Sequence, residues 1–142
     1  MTRVLYVEAS PRGERSKSAQ VCRTFLDQYL KHNSGNEIVR RNVFDDWLVP
    51  FDGYTVNAKY RVMHGQSKSE DEKQAWCRVE EIIDDFARAD KYVFAVPMWN
   101  FGIPYKLKHY IDVLAQPGQT FSFSPETGYS GLVTGKPVTV IY

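Results

Sequence analysis

The chain has 142 residues, 43% hydrophobic and 25% charged, the proportions of a soluble globular protein with room for one domain and its core but not for two ordinary ones. A formal net charge of +1 excludes a surface dominated by basic residues, so nucleic acid is not the expected partner. The two cysteines, Cys22 and Cys77, stand in no Cys-x-x-Cys arrangement, which excludes a dithiol redox motif and a zinc site of the usual spacing.

Behind Met1-Thr2-Arg3, the apolar stretch Val4-Leu5-Tyr6-Val7 is far too short to span a membrane and carries no cleavage pattern, so the expected location is cytoplasmic, with no membrane partner. Arg3 to Ala9 reads as a buried strand that runs into the turn formers Ser10-Pro11-Arg12-Gly13. From Ser18 the apolar period becomes helical: Ala19, Cys22, Phe25, Leu26, Tyr29 and Leu30 share a face until Asn33-Ser34-Gly35, which makes Cys22 a small core residue. Glu37 to Phe44 has the mixed apolar and charged character of an edge strand.

Asp45 to Ser69 is less legible, with a short helix expected over Val56 to His64. Its aromatics, Trp47, Phe51, Tyr54 and Tyr60, suit core packing, with a lid or dimer contact as the alternative. Ser69 followed by Glu70-Asp71-Glu72 places a capping hydroxyl and three acids at a helix start. That helix continues through Ala75, Val79, Ile82, Ile83 and Phe86, with Cys77 off its apolar stripe and accessible.

The apolar run Lys91 to Val96 is a strand that stops at Pro97. Pro104 opens a helix with Leu107, Tyr110, Ile111 and Leu114 on one face. Gln116 to Gly135 suits a long loop or irregular hairpin, and Val138 to Tyr142 is a last strand. The alternation of strands and helices predicts one α/β domain over 1–142, a doubly wound parallel sheet with helices on both faces. A parallel strand at the end of the chain lacks a following helix, so the fold reads as incomplete at its C-terminus, with further βα units missing or supplied by another chain.

Two loops are chemically equipped. Ser10-Pro11-Arg12-Gly13-Glu14-Arg15-Ser16-Lys17-Ser18 puts hydroxyls and basic side chains around a helix N-terminus, where free N–H groups and the helix dipole attract an anion such as a phosphate monoester. The plainer alternative is that Ser16 or Ser18 is only the helix cap. The loop is neither a Walker phosphate loop nor a dinucleotide fingerprint, because Gly13 stands alone. The second loop, Pro97-Met98-Trp99-Asn100-Phe101-Gly102-Ile103-Pro104, offers backbone N–H groups, the Asn100 amide and flat rings that suit a planar, partly polar ligand, or aromatics that simply cap the core. In the strand order 2-1-3-4-5 these loops sit on neighbouring strands at the switch point, where FMN binds in flavodoxin-like folds.

These residues resemble the FMN-dependent NADH-azoreductases, a branch of the flavodoxin-like quinone reductases. The likeness lies in Ser10-Pro11 with Ser16-Lys17-Ser18, in Pro97-Met98-Trp99-Asn100-Phe101, in Leu107-Lys108, and in Gly131-Leu132-Val133-Thr134-Gly135-Lys136. The resemblance implies that Ser10, Ser16, Lys17 and Ser18 hold the FMN phosphate, and that Pro97, Met98, Trp99, Asn100 and Phe101 hold the isoalloxazine and ribityl region. It also implies an aromatic, Phe123, beside the flavin, and a homodimer with the flavin at the interface. Members of that family are longer, and a third flavin-contacting loop follows the strand that here ends at Tyr142.

The implied activity is an FMN-dependent oxidoreductase that passes two electrons from NADH or NADPH to a quinone or azo acceptor by a ping-pong mechanism. The alternative is a non-catalytic FMN-binding protein or electron carrier. In this reading the cofactor does the redox chemistry, no side chain is a general base, and the scattered His32, His64 and His109 form no metal site.

Overall fold

A computed structural model describes all of residues 1–142. Its central sheet contains β1 (Arg3–Glu8), β2 (Glu37–Asn42), β3 (Lys91–Ala95) and β6 (Val138–Ile141), all parallel, in the order β2-β1-β3-β6. The helices are α1 (Lys17–His32), α2 (Gly53–Met63), α3 (Glu70–Ala87) and α4 (Tyr105–Leu114). Of the long loop or irregular hairpin expected between α4 and the last strand, the hairpin is what forms, β4 (Phe121–Ser124) pairing antiparallel with β5 (Gly128–Gly131).

The alternation within β1 divides the core. Leu5, Val7 and Ala9 face one layer, packed with Trp76, Val79, Ile82 and Ile83 of α3 and with Tyr110 and Val113 of α4. Val4 and Tyr6 face the other, against Ala19, Cys22 and Leu26 of α1. A strand buried on both faces can be apolar at every position, which is why β1 reads as a continuous run. By contrast, β2 pairs only with β1 and keeps its charged residues, as an edge allows.

Local chemistry sets the helix limits. Ser16 caps α1, Asp52 caps α2, and Ser69 forms a capping box with Glu72 at α3. Each such cap contributes about 1 kcal/mol. The short helix expected at Val56 starts earlier, at Gly53, because the Asp52 side chain accepts from the N–H of Thr55 at 3.1 Å. The aromatics of the intervening stretch divide. Trp47 packs edge-on against Tyr110 with its ring 5.5 Å away, whereas Tyr54 and Tyr60 are 59% and 53% exposed and are not core residues.

Candidate cofactor site at the crest of β1 and β3

Glu8, Asn42 and Ala95 stand level across β1, β2 and β3, so the segments that follow them emerge along one crest. The ladder closes there: the N–H of Ala9 donates to the carbonyl of Ala95 at 2.9 Å, and that of Val43 to Glu8 at 3.0 Å. Beyond these bonds each chain segment turns away, β3 because Pro97 has no N–H to continue.

The first segment folds back into a 3-10 turn, Gly13–Arg15, before α1 begins. Ser10 is fully buried, and its Oγ accepts the N–H of Arg12 at 3.3 Å. Ser16 is buried as the cap, its Oγ 3.5 Å from the Ala19 nitrogen and 3.4 Å from the Ser18 Oγ. Both long contacts leave the hydroxyl with bonding capacity to spare. The N–H groups of Lys17 and Ser18 stay open at the helix start. Arg12, Arg15 and Lys17 take part in none of the chain's salt bridges. Open donors and unneutralised cations at a helix N-terminus are the donor set an anion requires.

The second segment closes into a tight turn. Trp99 and Gly102 exchange both backbone hydrogen bonds at 2.9 Å, so only Asn100 and Phe101 form the tip, with φ of 49° and 62°. Two left-handed residues in succession define a type I′ geometry, in which asparagine is at home and phenylalanine is strained. The exchange uses the N–H groups of Trp99 and Gly102, so these two are withdrawn from the donors expected in this loop. The N–H groups of Asn100 and Phe101 remain, bonded to nothing in the chain. Phe101 is 99% exposed. Strain of about 1–3 kcal/mol held at an exposed apolar tip is a mark of a functional site.

The Trp99 ring leans back along the crest. It lies 5.7 Å from Phe44, beyond β2, and 6.4 Å from Tyr105 at the start of α4. The β3 turn and the β2 exit therefore meet across the end of β1, the strand from which the serine loop departs. Asn42 reinforces this junction: its Nδ2 donates to the carbonyl of Ser10 at 3.2 Å and its Oδ1 accepts from Phe44 at 3.0 Å. Sequence reading passed over Asn42, although an asparagine closing an edge strand ahead of an apolar pair was a visible hint.

The expected residues are not all brought together. Pro97, Met98 and Phe101 line a cavity of about 650 Å³ with Phe94, Leu107 and Val140, on the α4 side of the sheet. Neither Ser10, Ser16 nor Ser18 lines it. It is an apolar trough beside β6 and not a cleft shared by the two loops. Phe123 lies on the β4–β5 hairpin with its ring 4.9 Å from Tyr129, away from the crest loops in sequence and sheet. His109 ties α4 to the stretch before α2, donating from Nε2 to the carbonyl of Val49 at 2.8 Å, while His32 and His64 bond to carbonyls of their own helices.

A parallel sheet in the order 2-1-3 with two donor-rich loops at its switch point is a flavodoxin-type nucleotide scaffold. The model of the flavodoxin-like fold family matches residues 2–142, and the chain belongs to that family. It is 49% identical over all 142 residues to an FMN-dependent NADH:quinone oxidoreductase of Desulfotalea psychrophila, covering 67% of that protein. It is 46% identical to a protein of the same name from Nitratidesulfovibrio vulgaris, covering 68% of it. The chain thus spans about two-thirds of the length of these relatives. Among solved structures it resembles the FMN-dependent NADH-azoreductase of Bacillus anthracis in complex with FMN, with TM-score 0.87, 32% identity, and 99% and 68% of the two chains covered.

Proposed function

We propose that the chain is an FMN-dependent oxidoreductase that passes two electrons from NADH to quinones and azo compounds, with ping-pong kinetics. The observation that carries this reading is the pairing of an anion-type loop and a flat, donor-bearing turn on adjacent parallel strands, in a chain that superposes closely on an FMN-bound azoreductase. When bound, FMN supplies the two-electron chemistry, and the protein supplies orientation and electrostatics.

The residues of the crest fit that group. Ser10, Ser16, Lys17 and Ser18, with the open N–H groups at the start of α1, suit the dianionic phosphate without a metal. The Trp99 ring, backed by Phe44 and Tyr105, offers a flat wall for the ring system with Pro97 and Met98 beside it in the chain, and the free N–H groups of Asn100 and Phe101 suit its polar edge. Donors fixed at that edge favour negative charge developing there, by the logic of an oxyanion hole. No side chain at the crest is required as a general base. NADPH is an alternative donor with no residue here assigned to discriminate against it.

The exposed apolar side chains of Met98, Phe101, Ile103 and Tyr105 flank the crest and support a homodimer that covers it. Phe123 is retained as a flavin neighbour only through such an assembly. Free Cys22 and Cys77 support a reducing, cytoplasmic setting, and no helix is long and apolar enough to cross a membrane.

Purified protein should carry flavin absorbance and oxidise NADH at a rate that rises when a quinone is added. Colourless protein that fails to take up added FMN overturns the cofactor reading. Flavin-loaded protein without acceptor-dependent turnover points instead to an electron carrier.

A further inference from the structure

Glu8, the last residue of β1, is a fully buried acid. By the alternation of β1 it shares the α1 face of the sheet with Val4 and Tyr6, two residues before Ser10, and lies close to Cys22 of α1. Its Oε2 accepts from the Tyr6 hydroxyl at 3.2 Å and from Arg40 of β2, with Nε at 3.0 Å and Nη2 at 2.9 Å. The Nη1 of Arg23, on α1, approaches the same oxygen to 3.8 Å. Oε1 has no partner. An apolar side chain of similar volume would be the more stable occupant of such a position, so packing alone does not explain the acid.

Arg23 supplies the explanation. While Nη1 faces Glu8, Nη2 holds Glu14 at 3.2 Å, and Glu14 belongs to the 3-10 turn of the serine loop. The side chain of Gln20 also donates to the Glu14 carbonyl. One guanidinium therefore spans a carboxylate fixed in the sheet and a carboxylate on the loop, which a planar fork can do and a single ammonium cannot. Glu14 is the only acid between Ser10 and Ser18. With its charge turned onto Arg23, the loop's own Arg12, Arg15 and Lys17 are left to face an anion.

We propose that Glu8 is a positioning residue for the phosphate end of the site, acting through Arg23 to fix the serine loop and to withdraw Glu14 from it. This rests on the FMN reading above, and the test separates the two by comparing FMN with riboflavin, which lacks the phosphate. The dissociation constants of both flavins are measured by quenching of flavin fluorescence on titration with apo-protein. Glu8→Gln keeps the shape and removes the charge. It should raise the FMN constant about three- to fivefold, the scale of an exposed ion pair, and leave the riboflavin constant essentially unmoved.

Arg23→Lys keeps the charge on the helix surface but not the fork, and should lower the preference for FMN in the same way. Because Arg23 is only partly buried and lysine retains its charge, this variant decides the matter if Glu8→Gln does not fold. Equal weakening of both flavins assigns Glu8 a general structural role and overturns the proposal. A preference for FMN left intact in Arg23→Lys overturns it as well, since charge alone would then suffice. If the wild-type protein binds FMN no better than riboflavin, the phosphate cradle itself fails, and the proposal with it.

Discussion

The ring of Trp99, after β3, stands 5.7 Å from that of Phe44, after β2, and so bridges the end of the strand that lies between them. Neither ring has a partner elsewhere along the crest except Tyr105, which touches both. An aromatic pair of this kind contributes about 0.5–1.5 kcal/mol beyond the area it buries. Phe44→Ala should therefore loosen the flat wall and weaken FMN and riboflavin alike, by about three- to tenfold. Parallel titrations check this, and a loss confined to FMN would contradict it.

Phe101 offers a trade between stability and binding. Its left-handed backbone costs about 1–3 kcal/mol, and the exposed ring returns little of this by burial. Phe101→Gly should raise the melting temperature by roughly 3 °C after the added chain entropy of glycine is subtracted. Phe101→Ala keeps the strain and should show no rise. Both variants lose the ring and should bind flavin more weakly. Thermal scans of the apo-proteins beside flavin titrations test the pair.

Asn42 joins β2 to the serine loop through the Ser10 carbonyl. Asn42→Ala removes that donor and the acceptor for Phe44, at an expected cost of about 1–3 kcal/mol in urea unfolding. Asn42→Asp keeps the acceptor but loses the donor to Ser10, and should recover only part of the loss.

A pH dependence follows from Glu72. The backbone N–H of Ser69, at 2.9 Å, is the main reason its carboxyl is held below the ordinary range, and the Arg61 guanidinium adds to it. A carboxyl depressed in the folded state stabilises the protein at neutral pH and loses that contribution as the pH falls through the acid range. Glu72→Gln should thus melt below wild type at pH 7, and the gap should narrow as the pH falls below the ordinary carboxylate range. A gap independent of pH would show that the charge is irrelevant.

The two thiols should differ sharply in reactivity. Burial, with the Glu8 carboxylate close by, pushes the Cys22 thiol up to about 11, while Cys77 is exposed on α3. Iodoacetamide at about pH 8 should label Cys77 in the native protein and reach Cys22 only after denaturation. Peptide mass spectrometry gives the readout.

The sheet was legible because β1 and β3 are buried on both faces and α1 and α3 carry clear helical stripes. Ser69 with its three following acids announced α3 to within a residue. Less visible was anything that depends on two segments meeting. The two-residue tip at Asn100-Phe101 has no glycine to betray its left-handed backbone, since Phe101 occupies the place glycine usually takes. Glu8 gives no sign of its role in the sequence, because its partners Arg23 and Arg40 lie 15 and 32 positions further along. Phe123 was inferred from family likeness alone, and its hairpin is held by local pairing that says nothing about the crest.

The central position of β1 has a kinetic consequence. Neither crest loop has a foundation until residues 3–8 have found both 37–42 and 91–95, and parallel partners so distant in sequence come together late and slowly. Flavin uptake in a refolding experiment would then lag behind helix formation and report the final docking of the sheet. Added flavin would hold the finished protein together without hastening its arrival.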